Sequence, residues 1–156
     1  MLDTMFYDNV GARASAIYSD NSELKLLGSD DRVNFFNNIS PLGSTIFATF
    51  SDIEVNNQEF TKNQGFQGGT FQIDSTTVLT DANSIYKKNK AEQGGVVFAI
   101  NDSQFLFKNS VFMQNFGDDG AVLYGMYNSY TRALSFVNCE FTLNYSNQNL
   151  MQLMSS

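Results

Sequence analysis

Histidine and tryptophan are absent from this 156-residue chain, which has one proline, one cysteine and nine basic residues against sixteen acidic ones. The absence of histidine removes the side chain that most often transfers protons near neutral pH. With a single cysteine present, it also excludes Cys/His zinc centres and Ser–His–Asp or Cys–His catalysis. Any chemistry in this chain would depend on carboxylates, lysine, arginine and hydroxyl groups.

The charge balance argues against a nucleic-acid partner. The formal net charge is −7 and the isoelectric point is about 4.3, so the attraction to phosphate that drives nucleic-acid binding has no source here. The one basic cluster, Lys87, Lys88 and Lys90, is expected to be a solvated turn. We therefore expect no nucleic acid to bind.

Long hydrophobic runs are also missing. The longest, 96–100, cannot span a bilayer, and the N-terminal residues have neither the basic nor the apolar region of a signal peptide. We expect no direct membrane insertion, and either a cytosolic protein or a mature or internal piece of a longer chain. Cys139 has no partner for an internal disulfide and is expected to be a small buried residue.

The composition is nevertheless that of a folded domain. Hydrophobic residues make up 42% of the chain and charged residues 16%, a balance typical of globular proteins rather than disordered tails. The length fits one domain. We expect residues 1–156 to form a single structural unit.

An aromatic residue followed three positions later by asparagine recurs along the whole chain. The successive asparagines are 29, 25, 26, 26 and 29 residues apart, a spacing typical of repeat architectures. The six pairs are Phe6/Asn9, Phe35/Asn38, Phe60/Asn63, Tyr86/Asn89, Phe112/Asn115 and Phe141/Asn144. A coil is expected to start near each of these asparagines. The two longer intervals predict loop insertions near 26–28 and 127–130.

Two further columns keep the same period. Four units have glycine five residues after the asparagine, and four consecutive units have a second asparagine three residues before the aromatic residue. The glycines are Gly43, Gly68, Gly94 and Gly120, and the second asparagines are Asn57, Asn83, Asn109 and Asn138. Agreement among independent columns distinguishes this repeat from an accident of composition.

Between these columns, apolar residues alternate with the two-residue period of β-strands, as in 71–73 and 105–107. No sequence window shows the spacing of an amphipathic helix. Units of this length with several short strands fit one coil of a parallel β-helix. The sequence thus predicts an all-β fold, a single right-handed parallel β-helix solenoid of about five coils with 25–29 residues each.

Stacking such coils about 4.8 Å apart places like residues on like residues. The Phe and Tyr column should become an inward aromatic ladder, and both asparagine columns should form amide ladders. The glycines are expected to supply positive φ and close approach at the opposite corner. Both ends should expose strand edges and an apolar cross-section, which predicts end-to-end stacking on copies of the chain or on further coils of a longer chain.

Within the repeat, Phe60-Thr61-Lys62-Asn63 leads into Gly68-Gly69-Thr70-Phe71, and Phe112-Met113-Gln114-Asn115 into Asp119-Gly120-Ala121-Val122. These units resemble the repeats of chlamydial polymorphic outer-membrane proteins, which are defined by Phe-x-x-Asn followed by Gly-Gly-Ala-(Ile/Leu/Val). They are also similar to repeats in pectin-lyase-like surface proteins of ciliates. The resemblance implies a right-handed parallel β-helix used as an extracellular stalk, adhesin or surface scaffold.

Adjacent carboxylates at Asp118 and Asp119 are weak candidates for catalysis, because polysaccharide lyases and hydrolases also use β-helices. The other signatures of polygalacturonases are absent from the sequence, and the pair is expected to lie in a variable turn. Asp74 and Asp102 are expected to align in neighbouring coils, but no calcium-binding motif accompanies them. We expect no enzymatic activity, no cofactor and no metal.

Glycosylation sequons begin at Asn38, Asn101 and Asn144. Since Asn38 and Asn144 belong to the ladder column, Asn101 is expected to be the acceptor if the chain is secreted. The leading functional prediction is a non-enzymatic structural or adhesive scaffold, outside the cell or at its surface, that builds a filament or surface appendage. The alternatives are a module that binds or cleaves carbohydrate, with surface glycans as partners, and an intracellular scaffold subunit.

Overall fold

Parallel β-strands make up this fold, which a computed structural model describes for residues 5–28, 33–127 and 134–155. The strands follow one another around about five coils, and no helix occurs in those three ranges. The predicted all-β parallel solenoid is therefore confirmed. Its right-handed sense follows from the general rule for crossovers between parallel strands and stays a prediction.

Each coil contains three or four short strands. The first coil contains β1 (Phe6–Tyr7), β2 (Ala14–Asp20) and β3 (Glu23–Leu27). The second contains β4 (Val33–Phe36), β5 (Ile39–Ser40), β6 (Ser44–Thr49) and β7 (Asp52–Asn56), and the third β8 (Gln58–Thr61), β9 (Gln64–Gly65), β10 (Phe71–Asp74) and β11 (Val78–Ala82). The fourth contains β12 (Ile85–Lys87), β13 (Lys90–Gln93), β14 (Val97–Ile100) and β15 (Gln104–Lys108). The fifth contains β16 (Val111–Met113), β17 (Phe116–Asp119), β18 (Leu123–Tyr127) and β19 (Leu134–Val137), and a last partial coil β20 (Glu140–Thr142), β21 (Tyr145–Ser146) and β22 (Met151–Ser155).

Equivalent strands of successive coils pair in parallel and form four sheets. Sheet 1 is β1-β4-β8-β12-β16-β20, sheet 2 is β5-β9-β13-β17-β21, sheet 3 is β2-β6-β10-β14-β18-β22 and sheet 4 is β3-β7-β11-β15-β19. Their register places like residues side by side, so that Phe60 pairs with Phe35 on one side and Tyr86 on the other. One repeat of the sequence therefore corresponds to one coil of the solenoid.

The hydrophobic core lies between the four sheets, because alternate residues of each strand point inward. Ile46, Phe71 and Val97 of sheet 3 are fully buried, as are Leu79 and Phe105 of sheet 4. Burying one such side chain contributes roughly 1.5–3 kcal/mol. Since no coil can bury its inner face alone, the coils stabilise one another through this continuous core.

Left-handed backbone turns form several of the corners. The residue before each ladder asparagine has a φ between 53° and 57°. In the second asparagine column the asparagines do take it, with φ between 51° and 61°. The residues before the ladder asparagines are Asp8, Asn37, Lys62, Lys88, Gln114 and Leu143.

The glycine column serves two different purposes. Gly68, Gly94 and Gly120 have positive φ, whereas Gly43 does not, so the prediction of positive φ is wrong for Gly43. A Cβ atom on Gly43 would lie 2.0 Å from the carbonyl oxygen of Arg13. Glycine is needed there because the first two coils approach closely. The predicted role of glycine in close approach therefore holds at Gly43.

The loop insertion predicted near 26–28 begins at Gly28, because Leu27 pairs with Asn56 and Val33 with Gln58 of the next coil. Residues 23–27 form β3, where the Leu26 side chain packs in the core. The connection between β3 and β4 includes 29–32, which lie outside the described residues. Of the second predicted insertion, Tyr127 ends β18, and 128–130 also lie outside the described residues.

Replacing Leu143 with asparagine should stabilise the fold. Leu143 has a φ of 53° and its side chain is 75% exposed, so a leucine is held in a backbone conformation that costs most residues roughly 1–2 kcal/mol. Asparagine tolerates this conformation, and Asn37 occupies the equivalent corner in an earlier coil. We expect Leu143→Asn to raise the free energy of unfolding by about 0.5–1 kcal/mol in urea titrations. The reverse change, Asn37→Leu, should lower the free energy of unfolding. Equal stability of both variants and the natural chain would show that the left-handed backbone at Leu143 is not strained.

Candidate functional site

A stack of aromatic rings passes through the core from the first coil to the last. Successive ring centroids are 4.6–5.1 Å apart and the ring planes differ by 3–17°. This spacing equals the distance between neighbouring strands. The members are Phe6, Phe35, Phe60, Tyr86, Phe112 and Phe141. The four inner rings are fully buried, and the two end rings are partly exposed.

An amide ladder lies beside this stack, at the corner between sheets 1 and 2. The backbone N–H and Nδ2 of Asn63 both donate to Oδ1 of Asn89, at 3.0 and 3.1 Å. Asn63 Nδ2 also donates to the carbonyl oxygen of Phe35 at 2.9 Å. The same three bonds recur in neighbouring coils, so the side chains of Asn38, Asn63, Asn89 and Asn115 are fully buried and fully bonded. Asn9 and Asn144 end the ladder.

The second asparagine column does not form such a ladder, which corrects the prediction for Asn57, Asn83, Asn109 and Asn138. All four lie at a left-handed corner, where Asn83, Asn109 and Asn138 are exposed and Asn57 is half-buried. Asn83 Nδ2 donates to Asn56 rather than to its own column, at 3.0 Å, and Asn109 Nδ2 reaches Asn83 at 3.5 Å. Asparagine is used at this corner because it tolerates the left-handed conformation.

The residues that follow Asn57, Asn83 and Asn109 are buried and form a ladder that the sequence analysis missed. The backbone N–H of Gln58 donates to Oγ of Ser84 at 3.2 Å, and that of Ser84 donates to Oγ of Ser110 at 3.2 Å. A hydroxyl thus satisfies one corner N–H per coil. The signal in the sequence is the recurring serine one position beyond Asn83 and Asn109.

Next to this hydroxyl ladder, a carboxylate lies inside the core. Asp81 occupies an inward position of sheet 4 whose register partners are Val55 and Phe107, and its side chain is 3% exposed. Ser84 Oγ donates to its Oδ1 and Ser110 Oγ to its Oδ2, both at 2.6 Å. Two short bonds from hydroxyls partly replace the lost hydration.

Burial raises the pKa of Asp81 to about 6, although the hydrogen bonds from Ser110 and Ser84 act in the opposite direction. The pKa of Tyr86 is held well above its usual range, first by burial and then by the charge of Asp81. Burial also raises the pKa of the Cys139 thiol, which lies 3.5 Å from the carbonyl oxygen of Phe107. Since Ser84 and Ser110 are no more than 1% exposed, no substrate can reach this hydroxyl–carboxylate cluster.

The stability of the chain should therefore depend on the protonation of Asp81. Its pKa is about 6 in the folded chain, against the ordinary aspartate value of 3.8 that applies in the unfolded chain, so its contribution is fully present below pH 3.8 and is lost as the pH rises through 6. The difference corresponds to the order of 3 kcal/mol. We expect Asp81→Asn to be more stable than the natural chain by about this amount at pH 7, and equally stable near pH 4.

Urea titrations of both proteins between pH 4 and pH 8 would measure this difference. As a control, Ser110→Ala removes a bond that favours the charged form, so the pH window of the loss should move upward. A constant difference between Asp81→Asn and the natural chain at every pH would contradict a buried titrating carboxylate.

The two carboxylates proposed as weak catalytic candidates lie on a strand, not in a turn. Asp118 and Asp119 end β17 of sheet 2, where Asp119 pairs with Gln93. Asp118 is exposed and accepts a hydrogen bond from Nδ2 of Asn147 at 2.8 Å. A shallow depression on the same face is lined by Lys90, Glu92 and Asp118. Its two acidic groups are the minimum that glycoside hydrolysis requires.

The acidic groups considered for calcium do not align as predicted. β10 and β14 pair Ile73 with Ala99, which places Asp74 beside Ile100 rather than beside Asp102. The Asp74 carboxylate instead accepts a hydrogen bond from Nδ2 of Asn101. Across the described ranges, no three acidic or cysteine side chains converge as metal ligands would.

The three sequons differ in accessibility. Asn38 is fully buried in the amide ladder, Asn144 is partly buried in it, and Asn101 is exposed. The Ser103 hydroxyl of the Asn101 sequon is buried and donates to the carbonyl oxygen of Ile100 at 2.9 Å. A glycan at Asn101 would therefore have to be attached before the coil closes.

The lysine cluster lies at a solvent-facing corner, as the sequence predicts, with Lys88 and Lys90 exposed and Lys87 half-buried. Lys87 ends β12 and Lys90 begins β13, so the cluster spans the corner between sheets 1 and 2. Lys88 has the left-handed conformation of that corner. The Lys90 ammonium lies 5.3 Å from the ring centre of Phe116, a cation–π contact on the outer face of sheet 2.

Apolar side chains are left partly open at both ends of the solenoid. Several partly buried side chains pack against the core there, Phe6, Ile17 and Leu24 in the first coil and Leu134, Phe136, Phe141 and Met151 in the last coils. Comparison with known protein families, curated proteins and solved structures finds no match to this chain. In the described part of the chain, no helix has the length and apolar character needed to cross a membrane.

Proposed function

We propose that this chain is a non-enzymatic structural scaffold, a rigid rod of stacked coils used outside the cell or at its surface. The observation that carries the proposal is the use of its buried polar groups. The amides of the ladder and the hydroxyls of Ser84 and Ser110 all bond from one coil to the next. Polar groups used in this way join one coil to the next, and they are not exposed to bind a substrate.

The proposal of an extracellular or surface location rests on the repeat pattern. Phe-x-x-Asn with glycine five residues later is the spacing of chlamydial polymorphic outer-membrane protein repeats, and we propose kinship with those and with similar ciliate surface proteins. Asn101 offers an exposed acceptor for a glycan. Intact-mass measurement of protein from its native source would test the location. A glycan lost in Asn101→Gln supports secretion through a glycosylating pathway, and a bare mass argues against it.

The function itself can be tested against the carbohydrate alternative. The natural chain should leave pectin, alginate and host glycans intact, and electron microscopy should show rods whose length grows by about 4.8 Å per coil. Depolymerisation that disappears in Glu92→Gln or Asp118→Asn, but persists in the surface control Glu54→Gln, would overturn the scaffold proposal. Glu92 and Asp118 are chosen because they line the depression on sheet 2.

A further inference from the structure

The amide ladder has a direction. Each asparagine donates its backbone N–H and one Nδ2 hydrogen to Oδ1 of the asparagine in the following coil, as Asn63 does to Asn89. At the first coil, Asn9 donates to Asn38 and its own Oδ1 accepts nothing from the described residues. One end of the ladder is therefore an acceptor.

The other end of the ladder is a donor. Oδ1 of Asn144 accepts two hydrogen bonds from Asn115, at 3.0 and 2.9 Å. One Nδ2 hydrogen of Asn144 is donated to the carbonyl oxygen of Phe112. Its backbone N–H and second Nδ2 hydrogen have no acceptor among the described residues. The two ends are thus complementary to each other and not to themselves, because two copies of either end would oppose donor to donor or acceptor to acceptor.

The apolar columns end in the same complementary way. Phe6 stacks on Phe35 with one ring face, and Phe141 stacks on Phe112 with one ring face. Among the described residues, no ring stacks on the opposite face of either. The outward column of sheet 2 begins at Val10, which is 75% exposed, and ends at Tyr145, which is 61% exposed. Placing the last coil of one copy against the first coil of another would continue each column with a side chain of the same class.

We propose that two copies of this chain join head to tail, with Asn144 of one copy donating to Asn9 Oδ1 of the next and Phe141 stacking on Phe6. The joint rests on the proposed scaffold function and specifies its partner. A head-to-tail contact is heterologous, and since it repeats by translation along the solenoid axis it does not close into a ring. Copies therefore assemble into filaments in which the coil period continues across each joint.

Disulfide trapping at the joint tests its direction. In a Cys139→Ser background, Val10→Cys and Tyr145→Cys are made as separate proteins, and both changes are at exposed positions that should not disturb folding. In the joint the two Cα atoms would be one strand spacing apart, about 4.8 Å, which lies within the range of disulfides. Serine at 139 is compatible with the fold because Ser84 and Ser110 occupy the same column.

Under mild oxidation, a mixture of the two variants should give disulfide-crosslinked dimers on non-reducing denaturing gels, whereas each variant alone should give only the uncrosslinked chain. One copy carrying both cysteines should give a ladder of multimers, and the lateral control Glu54→Cys mixed with either variant should give none. Dimers formed by Val10→Cys alone or Tyr145→Cys alone would overturn the head-to-tail joint, as would the absence of crosslinks in the mixture. Because the glycan assay tests the scaffold function separately, either result removes the joint without deciding that function.

Discussion

Replacing Asn89 with alanine is expected to lower the free energy of unfolding by roughly 3–6 kcal/mol, since each buried polar group left unpaired costs about 1–3 kcal/mol. The alanine would leave Asn63 without the acceptor for its N–H and Nδ2, and the Phe60 carbonyl without its donor. All of these groups lie in the buried part of the ladder, where water cannot replace the lost partner. Urea or thermal unfolding of the purified proteins would measure the loss.

The second asparagine column provides the control. Asn83→Gly removes a side-chain amide from the surface and keeps the left-handed corner accessible. We expect this change to alter stability by less than about 1 kcal/mol, as for most surface substitutions. Similar losses for Asn89→Ala and Asn83→Gly would contradict the distinction between a buried ladder and a surface corner.

Phe112→Ala is expected to destabilise the fold by about 3–5 kcal/mol, which is typical of truncating a buried phenylalanine. The Phe112 ring stacks between Tyr86 and Phe141 at 4.9 and 5.0 Å, and Phe107 and Phe136 contact it at steep angles. The backbone of a stacked solenoid has little freedom to close such a cavity, because each strand is held on both sides.

Two further variants separate the loss of the stack from a general loss of apolar surface. Phe112→Leu retains most of the volume and should cost much less than Phe112→Ala. Phe66→Ala removes the same atoms from a side chain that is 40% exposed and should cost about 1 kcal/mol or less. An unchanged unfolding midpoint for Phe112→Ala would show that the aromatic column does not support the core.

The repeat made the fold predictable from sequence. In a solenoid, contacts occur between equivalent positions of neighbouring coils, so a column of like residues in the sequence is also a column in space. Phe60, Tyr86 and Phe112 could be placed in one stack for this reason, and the alternation of apolar residues around Phe71 and Phe105 indicated short strands.

Other features could not be derived from the columns alone. Two asparagine columns look alike in sequence, but Asn89 faces the core and Asn83 faces solvent, because a left-handed residue precedes one and coincides with the other. Lys88 and Leu143 carry no signal for a left-handed corner. Their conformation, at roughly 1–2 kcal/mol each, is imposed by the hydrogen bonds of the ladder that follows.

The buried position of Asp81 is indicated by the residues of its column. Its column contains Val55 and Phe107 in the neighbouring coils, so a carboxylate at this position is out of place in an apolar column. Ser84 and Ser110, which hold it, follow at the next corner. A carboxylate in an otherwise apolar column is therefore the sequence signal of this buried acid.

Hydrogen exchange of the asparagine side-chain amides, followed by ¹⁵N NMR, tests most directly whether the Phe-x-x-Asn column builds the rod. The Nδ2 groups of Asn63 and Asn89 are buried and bonded on both sides, whereas those of Asn83 and Asn109 are exposed. We predict exchange of the first pair only through opening of the solenoid, slower than that of the second pair by several orders of magnitude. Equal exchange rates in the two columns would contradict the ladder.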